Sequence, residues 1–155
     1  SAAGFISITF LSELKIITEM KDLYVKCKVI VTELFKDKKD KAGKPYLGHL
    51  LRVSNRLDLE IEKIAGLLHD VLEDSEFTQK DMLEFGIPFE IVSRCEIITR
   101  GKDESYMNFI RRCGDDKIVR YVKMADLLHN MDITRLDKLT EQDLRRLTKY
   151  HKCYK

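Results

Sequence analysis

The sequence is poor in the residues that break helices and build turns. It has seven glycines and two prolines in 155 residues, about half of the roughly 12% that these two residues contribute on average. No segment sustains the alternation of polar and apolar residues that is typical of a half-buried strand. We therefore predict an all-α fold.

Several other features are missing. No apolar run is long enough to span a bilayer, and 28 basic against 26 acidic residues give a net charge of only +2, which does not indicate a nucleic-acid or membrane partner. There is no Cys-x-x-Cys pair, so neither a zinc knuckle nor a disulfide framework is expected. The four cysteines are widely spaced: Cys27, Cys95, Cys113 and Cys153. Free thiols are typical of a reducing compartment, so we expect the protein to be cytoplasmic. Homo-oligomerisation stays open.

The pattern along the chain predicts one domain over residues 11–155. Residues 1–10 are interpreted as a tag scar or an irregular segment, and the lysine-rich stretch 36–44 as an exposed loop. Asp58 is predicted to cap the helix that follows it. Thr-x-x-Asp patterns at 78–81 and 140–143 predict capping boxes at two further helix starts, and Gly86 is predicted to end the first of these helices.

A few polar residues stand in segments that are otherwise apolar. His69 and Asp70 interrupt the apolar run 67–72, Asp126 interrupts 124–128, and His49 precedes two leucines. A buried carboxylate is costly unless it is paired, hydrogen-bonded or bound to a metal. Each of these residues taken alone is more often an ordinary core histidine or a paired carboxylate. Taken together, two imidazoles and two carboxylates predict a mixed nitrogen and oxygen site for one divalent metal.

Two more carboxylates follow the predicted ligands along the same helix. Glu73 lies four residues after His69 and Asp74 four residues after Asp70, so in a helix each pair shares one face. We expect this acidic pair to orient a water molecule or to accept its proton. The alternative is an acidic helix end in solvent. Asn130, four residues after Asp126, is expected either to contact substrate or to cap its helix.

Three stretches extend this pattern to a known family. The order His49, His69-Asp70, Asp126 resembles the H…HD…D signature of HD-domain metal-dependent phosphohydrolases. The stretches 43–49 (GKPYLGH), 67–75 (LLHDVLEDS) and 122–131 (VKMADLLHNM) are similar to the hydrolase domain of the RelA/SpoT family, and closest to its small stand-alone members. The resemblance implies an HD-domain helical bundle that removes pyrophosphate from the 3′ position of (p)ppGpp.

The resemblance also assigns roles to residues. It implies that His49, His69, Asp70 and Asp126 bind the metal, with Mn²⁺ expected first and Mg²⁺, Co²⁺, Fe²⁺ and Zn²⁺ as alternatives. It implies that Glu73 and Asp74 position the attacking water. Candidate substrate-binding residues are Lys41, Lys44, Tyr46, Arg52 and Asn130, of which Lys41 and Asn130 match nucleotide contacts of the family.

Two features depart from the family: the His and Gln that it usually has upstream are replaced around residues 32–35, and the loop residue before Lys41 differs. Asp40 stands where the family usually has an arginine, which predicts weak discrimination between purine bases. The leading hypothesis is therefore an enzyme that acts on (p)ppGpp or a related nucleotide. The alternatives are a nucleoside monophosphatase and a non-catalytic nucleotide-binding regulatory module.

Overall fold

A computed structural model describes residues 7–155 of the chain. Within that range there are nine α-helices and one 3₁₀ turn. The nearest approach to a strand between residues 7 and 155 is one antiparallel bridge between Lys39 and Pro45, so the predicted all-α fold is confirmed. The elements are α1 (Ile8–Leu34), α2 (Leu47–Asn55), α3 (Glu60–Leu68), α4 (Val71–Asp74), α5 (Gln79–Phe85), α6 (Phe89–Ile97), α7 (Tyr106–Gly114), α8 (Lys117–Asn130), the 3₁₀ turn Ile133–Arg135 and α9 (Glu141–Tyr154).

Local capping sets several helix ends. The Thr78 hydroxyl accepts a hydrogen bond from the Asp81 N–H at 3.2 Å, and the Asp81 carboxylate accepts one from the Thr78 N–H at 2.8 Å. Thr140 and Asp143 form the same reciprocal pair at the start of α9. Gly86 ends α5 with a φ of 97°, a left-handed conformation that costs glycine little. These three predictions from the sequence are confirmed.

Two predicted boundaries are wrong. The cap position before α3 is occupied by Leu59 rather than Asp58, and the Glu62 carboxylate accepts the Leu59 N–H at 3.1 Å. At the other boundary, the Ser7 hydroxyl accepts the Phe10 N–H, so α1 begins at Ile8. Residues 8–10 are therefore helical rather than irregular, and residues 1–6 lie outside the described part of the chain.

α3 lies at the centre of the molecule and supplies side chains to two apolar clusters. Ile64 and Leu67 pack with α1, α2, α5 and α6 in the larger cluster. Ala65 packs with α7 and α8 in the smaller one, together with Phe109 and Val122. Burying such side chains contributes most of the stabilisation of a fold of this kind. The two clusters hold α2, α3 and α8 side by side, and these helices carry or flank every predicted metal ligand.

α1 is only partly covered by the rest of the domain. Leu14 and Ile17 are 44% and 49% exposed, whereas Cys27 and Val31 are completely buried. The second half of α1 therefore packs in the larger apolar cluster, and its first turns are largely exposed. Among residues 7–155, no helix is both long enough and apolar enough to span a membrane.

Candidate metal centre and nucleotide pocket

The chain bends where a continuous helix was expected. α3 ends at Leu68, and α4 begins at Val71. Asp70, between them, has φ −104° and ψ 0°, which is not helical. The prediction of one helix through His69 and Asp70 is therefore wrong. The Asp74 N–H still donates to the Asp70 carbonyl at 2.8 Å, so this pair keeps the spacing of one helical turn.

The bend places Asp70 beside His49 and His69, and the donor atoms of these three residues all lie within 4.8 Å of one another. α8 adds Asp126 at the edge of this group. The Nε2 atom of His49, on α2, lies 3.0 Å from Asp126 Oδ1, on α8, and 3.7 Å from Asp70 Oδ2. The Nε2 atom of His69 lies 3.1 Å from Asp70 Oδ2 and 3.4 Å from Asp126 Oδ1. Two ligands bound at right angles about 2.1 Å from one ion are about 3 Å apart. Donor separations of this size can therefore hold a single divalent cation.

The hydrogen bonding of His69 supports the fit of a cation to these residues. Its Nδ1 lies 2.6 Å from the Gly66 carbonyl oxygen, which can only accept, so the ring proton belongs on Nδ1. The Nε2 atom is buried and makes no hydrogen bond within residues 7–155, although it faces two carboxylates. Metal-binding histidines are held in this way, with one nitrogen bound to a carbonyl and the other directed at the ion.

The two carboxylates of the cluster have their own partners. The Tyr46 hydroxyl donates to Asp70 Oδ2 at 2.5 Å. Lys123 Nζ lies 2.8 Å from Asp126 Oδ2, and Asn130 donates to Asp126 Oδ1 at 2.9 Å. Tyr46 and Asn130 were predicted to bind substrate, and here they orient the cluster. Lys123 was missed, although its position one helical turn before Asp126 is a usable signal.

Electrostatics leave the cluster rich in negative charge. Burial opposes ionisation of Asp126, but Lys123 and the two histidines outweigh it and hold the pKa of that carboxyl well below its usual range. For His69, burial favours the neutral ring, yet the adjacent carboxylates prevail and raise its pKa. The pKa shift of Asp126 comes mainly from the nearby charge of Lys123, and the pKa shift of His69 comes from the nearby carboxylates of Asp70 and Asp126. A proton on His69 or a divalent cation can offset the negative charge of those carboxylates.

A third histidine, missed in the sequence, lies behind the cluster. The Nδ1 atom of His129 is 2.5 Å from the Nδ1 atom of His49, and the two rings are stacked with centroids 4.8 Å apart. His129 lies on α8 and is 3% exposed. The next residue, Asn130, was predicted from its spacing of one helical turn from Asp126. The contact of His129 depends on how α2 packs against α8, which the sequence does not show.

The cluster forms the floor of a pocket of about 430 Å³. Of the predicted site residues, the pocket lining includes His49, Asp70, Asp126, Glu73, Asp74, Lys41, Tyr46 and Asn130. His69 lies buried beneath them, 2% exposed. The lining also includes Lys38 and Lys39, whose loop was expected to offer positive charge to phosphates, together with Asp40. The remaining lining residues come from the 3₁₀ turn and α9 and were not predicted: Ile133, Arg135, Leu136, Asp143, Arg146 and Tyr150.

Lys44 and Arg52 are not part of the pocket lining. α2 buries the face that carries His49, Leu50 and Val53, and Arg52 is exposed on the opposite side. The backbone N–H of Lys44 donates to Asp40 at 2.9 Å, while its side chain is exposed. The prediction that these two residues bind substrate has no support from their positions.

The acidic pair stands on the pocket wall. Partial desolvation and the neighbouring carboxylates of Asp70 and Asp74 raise the pKa of Glu73. Asp74 forms an ion pair with Lys38 at 3.2 Å. A carboxylate whose pKa is raised toward neutrality is a better proton acceptor than an ordinary one, so Glu73 is the member of the pair suited to that role.

Asp40 organises the mouth of the pocket. Its Oδ1 accepts the N–H groups of Ala42 and Lys44, both at 2.9 Å. Its Oδ2 lies 3.1 Å from a guanidinium nitrogen of Arg135, which is 95 residues away in the chain. The loop that lacks an arginine at position 40 thus holds an arginine from the 3₁₀ turn at the same pocket.

Comparison with solved structures places the fold of the chain among helical HD-domain proteins. The chain resembles a solved structure described as a metazoan ortholog of SpoT that hydrolyses ppGpp, with a TM-score of 0.68, 20% identity, and coverage of 85% of this chain and 83% of that one. The shared architecture is the all-helical HD-domain fold, as predicted.

Sequence relatives point to the RelA/SpoT family. The chain is 33% identical over 122 residues to a guanosine-3′,5′-bis(diphosphate) 3′-pyrophosphohydrolase of Haemophilus influenzae, covering 70% of this chain and 18% of the relative. It is 32% identical over 117 residues to a GTP pyrophosphokinase of Streptomyces coelicolor, covering 68% of this chain and 14% of the relative. No family model matches the chain. The chain spans less than a fifth of the length of these relatives. The predicted resemblance to the RelA/SpoT hydrolase domain is confirmed by these matches.

Proposed function

We propose that the chain is a metal-dependent phosphohydrolase that removes the 3′-pyrophosphate of (p)ppGpp or of a related nucleotide. In this proposal His49, His69, Asp70 and Asp126 hold one divalent cation, with Mn²⁺ as the first candidate. The reaction adds one water molecule across the bond between the 3′ oxygen and phosphorus, so that ppGpp and water give GDP and pyrophosphate. The proposal also places this reaction in the cytoplasm, in keeping with the four free thiols.

The observation that carries the proposal is the buried Nε2 atom of His69. It makes no hydrogen bond within residues 7–155 and faces Asp70 and Asp126 at 3.1 and 3.4 Å, beneath an open pocket. A buried nitrogen directed at two carboxylates is suited to a cation rather than to a packing role. When bound, a divalent ion supplies positive charge to phosphate oxygens and activates water for attack.

The pocket walls supply the remaining chemistry. Glu73, with its raised pKa, accepts a proton from water at the edge of the cluster. Asp74 keeps Lys38 at the same wall. Lysines and arginines of the lysine loop, the 3₁₀ turn and α9 bring positive charge to the rim, where a polyanionic substrate needs it; they are Lys38, Lys39, Lys41, Arg135 and Arg146.

The size of the pocket and the names of the relatives support a nucleotide substrate. A volume of about 430 Å³ is within the range of ligand pockets. The relatives from Haemophilus influenzae and Aquifex aeolicus are both named guanosine-3′,5′-bis(diphosphate) 3′-pyrophosphohydrolase. Because a fold hosts many functions, the donor set and the acidic wall weigh more in this proposal than the shared architecture.

Substrate profiling tests the proposal. The purified chain is incubated with Mn²⁺ and, separately, with ppGpp, its adenine analogue and GMP, and the released pyrophosphate and phosphate are measured. We expect pyrophosphate from both tetraphosphates, with kcat/KM values within roughly a hundredfold of one another. Phosphate from GMP alone would instead indicate a nucleoside monophosphatase, and no release from any substrate a non-catalytic module.

Matched variants separate chemistry from binding in this experiment. Glu73→Gln removes the proton acceptor from the wall, whereas Glu76→Gln changes an exposed carboxylate three residues later that is not part of this pocket. The proposal expects the first variant to lose turnover and the second to keep it. Equal rates for the two variants would remove Glu73 from the mechanism.

A further inference from the structure

His129 and His49 form a buried pair. Their Nδ1 atoms are 2.5 Å apart, and their ring planes are inclined by only 26°. His49 is 5% exposed, and His129 is 3% exposed. Two nitrogens at this separation require one proton between them, so one ring donates and the other accepts. The choice of donor ring decides whether the Nε2 atom of His49 presents a proton or a lone pair to the carboxylates.

The pair has two tautomeric arrangements. In the first, His129 donates through Nδ1 and His49 carries its own proton on Nε2, directed at Asp126 Oδ1 at 3.0 Å. In the second, His49 donates through Nδ1 to His129, and its Nε2 lone pair faces Asp70 and Asp126. Only the second arrangement lets His49 act as a metal ligand, since a protonated Nε2 has no free lone pair.

We propose that His129 is a positioning residue that accepts the Nδ1 proton of His49 and so selects the tautomer of His49 that binds a divalent cation. This inference rests on the proposed metal site. In this role the proton of His129 resides on its own Nε2, which is buried and makes no hydrogen bond within the described residues. The contact of His129 with His49 through Nδ1 is therefore the hydrogen bond that its ring makes within the described residues.

The two histidines of the site are thus oriented by different means. His69 donates its Nδ1 proton to a backbone carbonyl, that of Gly66. Among the described residues, His49 Nδ1 contacts no such carbonyl and instead contacts a side chain from another helix. A side-chain acceptor can be deleted by mutation, whereas a carbonyl cannot, and this makes the role of His129 testable.

The first test measures Mn²⁺ binding to the full chain without substrate. Free Mn²⁺ is quantified by electron paramagnetic resonance for the wild type, His129→Leu and His129→Asn. Leucine fills much of the ring volume but accepts no proton, so we expect Mn²⁺ affinity to fall by about 10- to 100-fold. An asparagine amide places an oxygen acceptor near the former Nδ1 position, so we expect it to restore most of the affinity.

Each outcome of this measurement has one meaning. Unchanged affinity in His129→Leu overturns the inference while leaving the metal site standing. An asparagine variant as weak as the leucine variant also overturns it, because packing rather than proton acceptance would then explain the loss. Absence of Mn²⁺ binding in the wild type overturns the proposed metal site, and with it this inference.

The second test needs no variant and therefore does not depend on mutant folding. Long-range ¹H–¹⁵N spectra of ¹⁵N-histidine-labelled wild type, saturated with diamagnetic Zn²⁺, report which nitrogen of each ring carries a proton. We expect His49 to carry its proton on Nδ1 and His129 on Nε2. A proton on His129 Nδ1 in the Zn²⁺-loaded protein would overturn the inference.

Discussion

Asp70 and Glu73 are close in sequence, yet substitutions at the two positions are expected to have different effects on metal binding and turnover. Asp70 Oδ2 lies 3.1 Å from His69 Nε2 and 3.7 Å from His49 Nε2. The Asp70→Ala variant is therefore predicted to lose both metal binding and turnover. Glu73 stands on the pocket wall, so Glu73→Gln is predicted to lower kcat at least 100-fold and to leave metal content unchanged. Metal analysis and kinetics on the same preparations check this. A Glu73→Gln enzyme that also loses its metal would show that Glu73 is a ligand.

Glu104 illustrates a carboxylate that stabilises the fold rather than the site. Its two oxygens lie 2.8 and 2.9 Å from the Arg112 guanidinium, which lowers the pKa of Glu104 from 4.5 to about 2. Because the pKa of Glu104 is lower in the folded than in the unfolded chain, its ionised form stabilises the fold. This contribution to stability is complete above pH 4.5 and is lost as the pH falls toward 2.

We therefore predict that lowering the pH from 6 to 3 reduces the melting temperature of Glu104→Gln by less than it reduces that of the wild type. Thermal melts of the metal-free proteins at both pH values measure the difference. Glu141→Gln is the control, since Glu141 is 90% exposed and its pairing with Arg145 at 3.5 Å is a surface contact. If Glu104→Gln and the control show the same pH dependence as the wild type, the Arg112 pair does not stabilise the fold.

Helices α2 and α3 approach each other closely at Gly66. A Cβ atom at that position would lie 3.0 Å from Leu57 Cδ1 and 3.1 Å from Ser54 Cα. The second contact is to backbone, which cannot rotate away. Since the carbonyl of Gly66 also orients His69, the spacing of the two helices and the position of a predicted ligand depend on the same residue.

Gly66→Ala is accordingly predicted to destabilise the domain by about 1–3 kcal/mol, as overpacking does, and to weaken Mn²⁺ binding. Gly114→Ala is the matched control, because Gly114 is also helical and a Cβ there meets nothing within 4 Å. The control is expected to be neutral or slightly stabilising. Urea unfolding and Mn²⁺ titration of both variants decide the point, and equal stabilities would refute a close approach at Gly66.

Binding of a cation to the assembled cluster should stabilise the whole domain, because the four donors come from three separate parts of the chain and meet only in the folded state. At a free Mn²⁺ concentration of 100 times the Kd, the gain is about 2.7 kcal/mol. For a domain of this length that corresponds to a rise in Tm of about 5–10 °C. Asp126→Asn should lose this rise. Differential scanning calorimetry with and without Mn²⁺ provides the measurement, and an equal rise in Asp126→Asn would show that the ion binds elsewhere.

Much of the architecture was predictable because its determinants are local. The capping boxes at Thr78 and Thr140 and the helix end at Gly86 involve residues within about one turn of each other, and the structure confirms these three predictions. The candidate ligands His49, His69, Asp70 and Asp126 were also recognisable in the sequence, since a polar residue within an apolar run is conspicuous wherever the run is folded.

Tertiary structure alone decided how these residues meet. The bend between α3 and α4, which directs Asp70 toward His69, occurs at His69 and Asp70 and contains neither glycine nor proline. The contact of His49 with His129 spans 80 residues, and that of Asp40 with Arg135 spans 95. Sequence patterns report which face of a helix is apolar, but not which residues of two helices come opposite each other. That register depends on how the two apolar clusters fill the space around α3, and so on side chains far from the site.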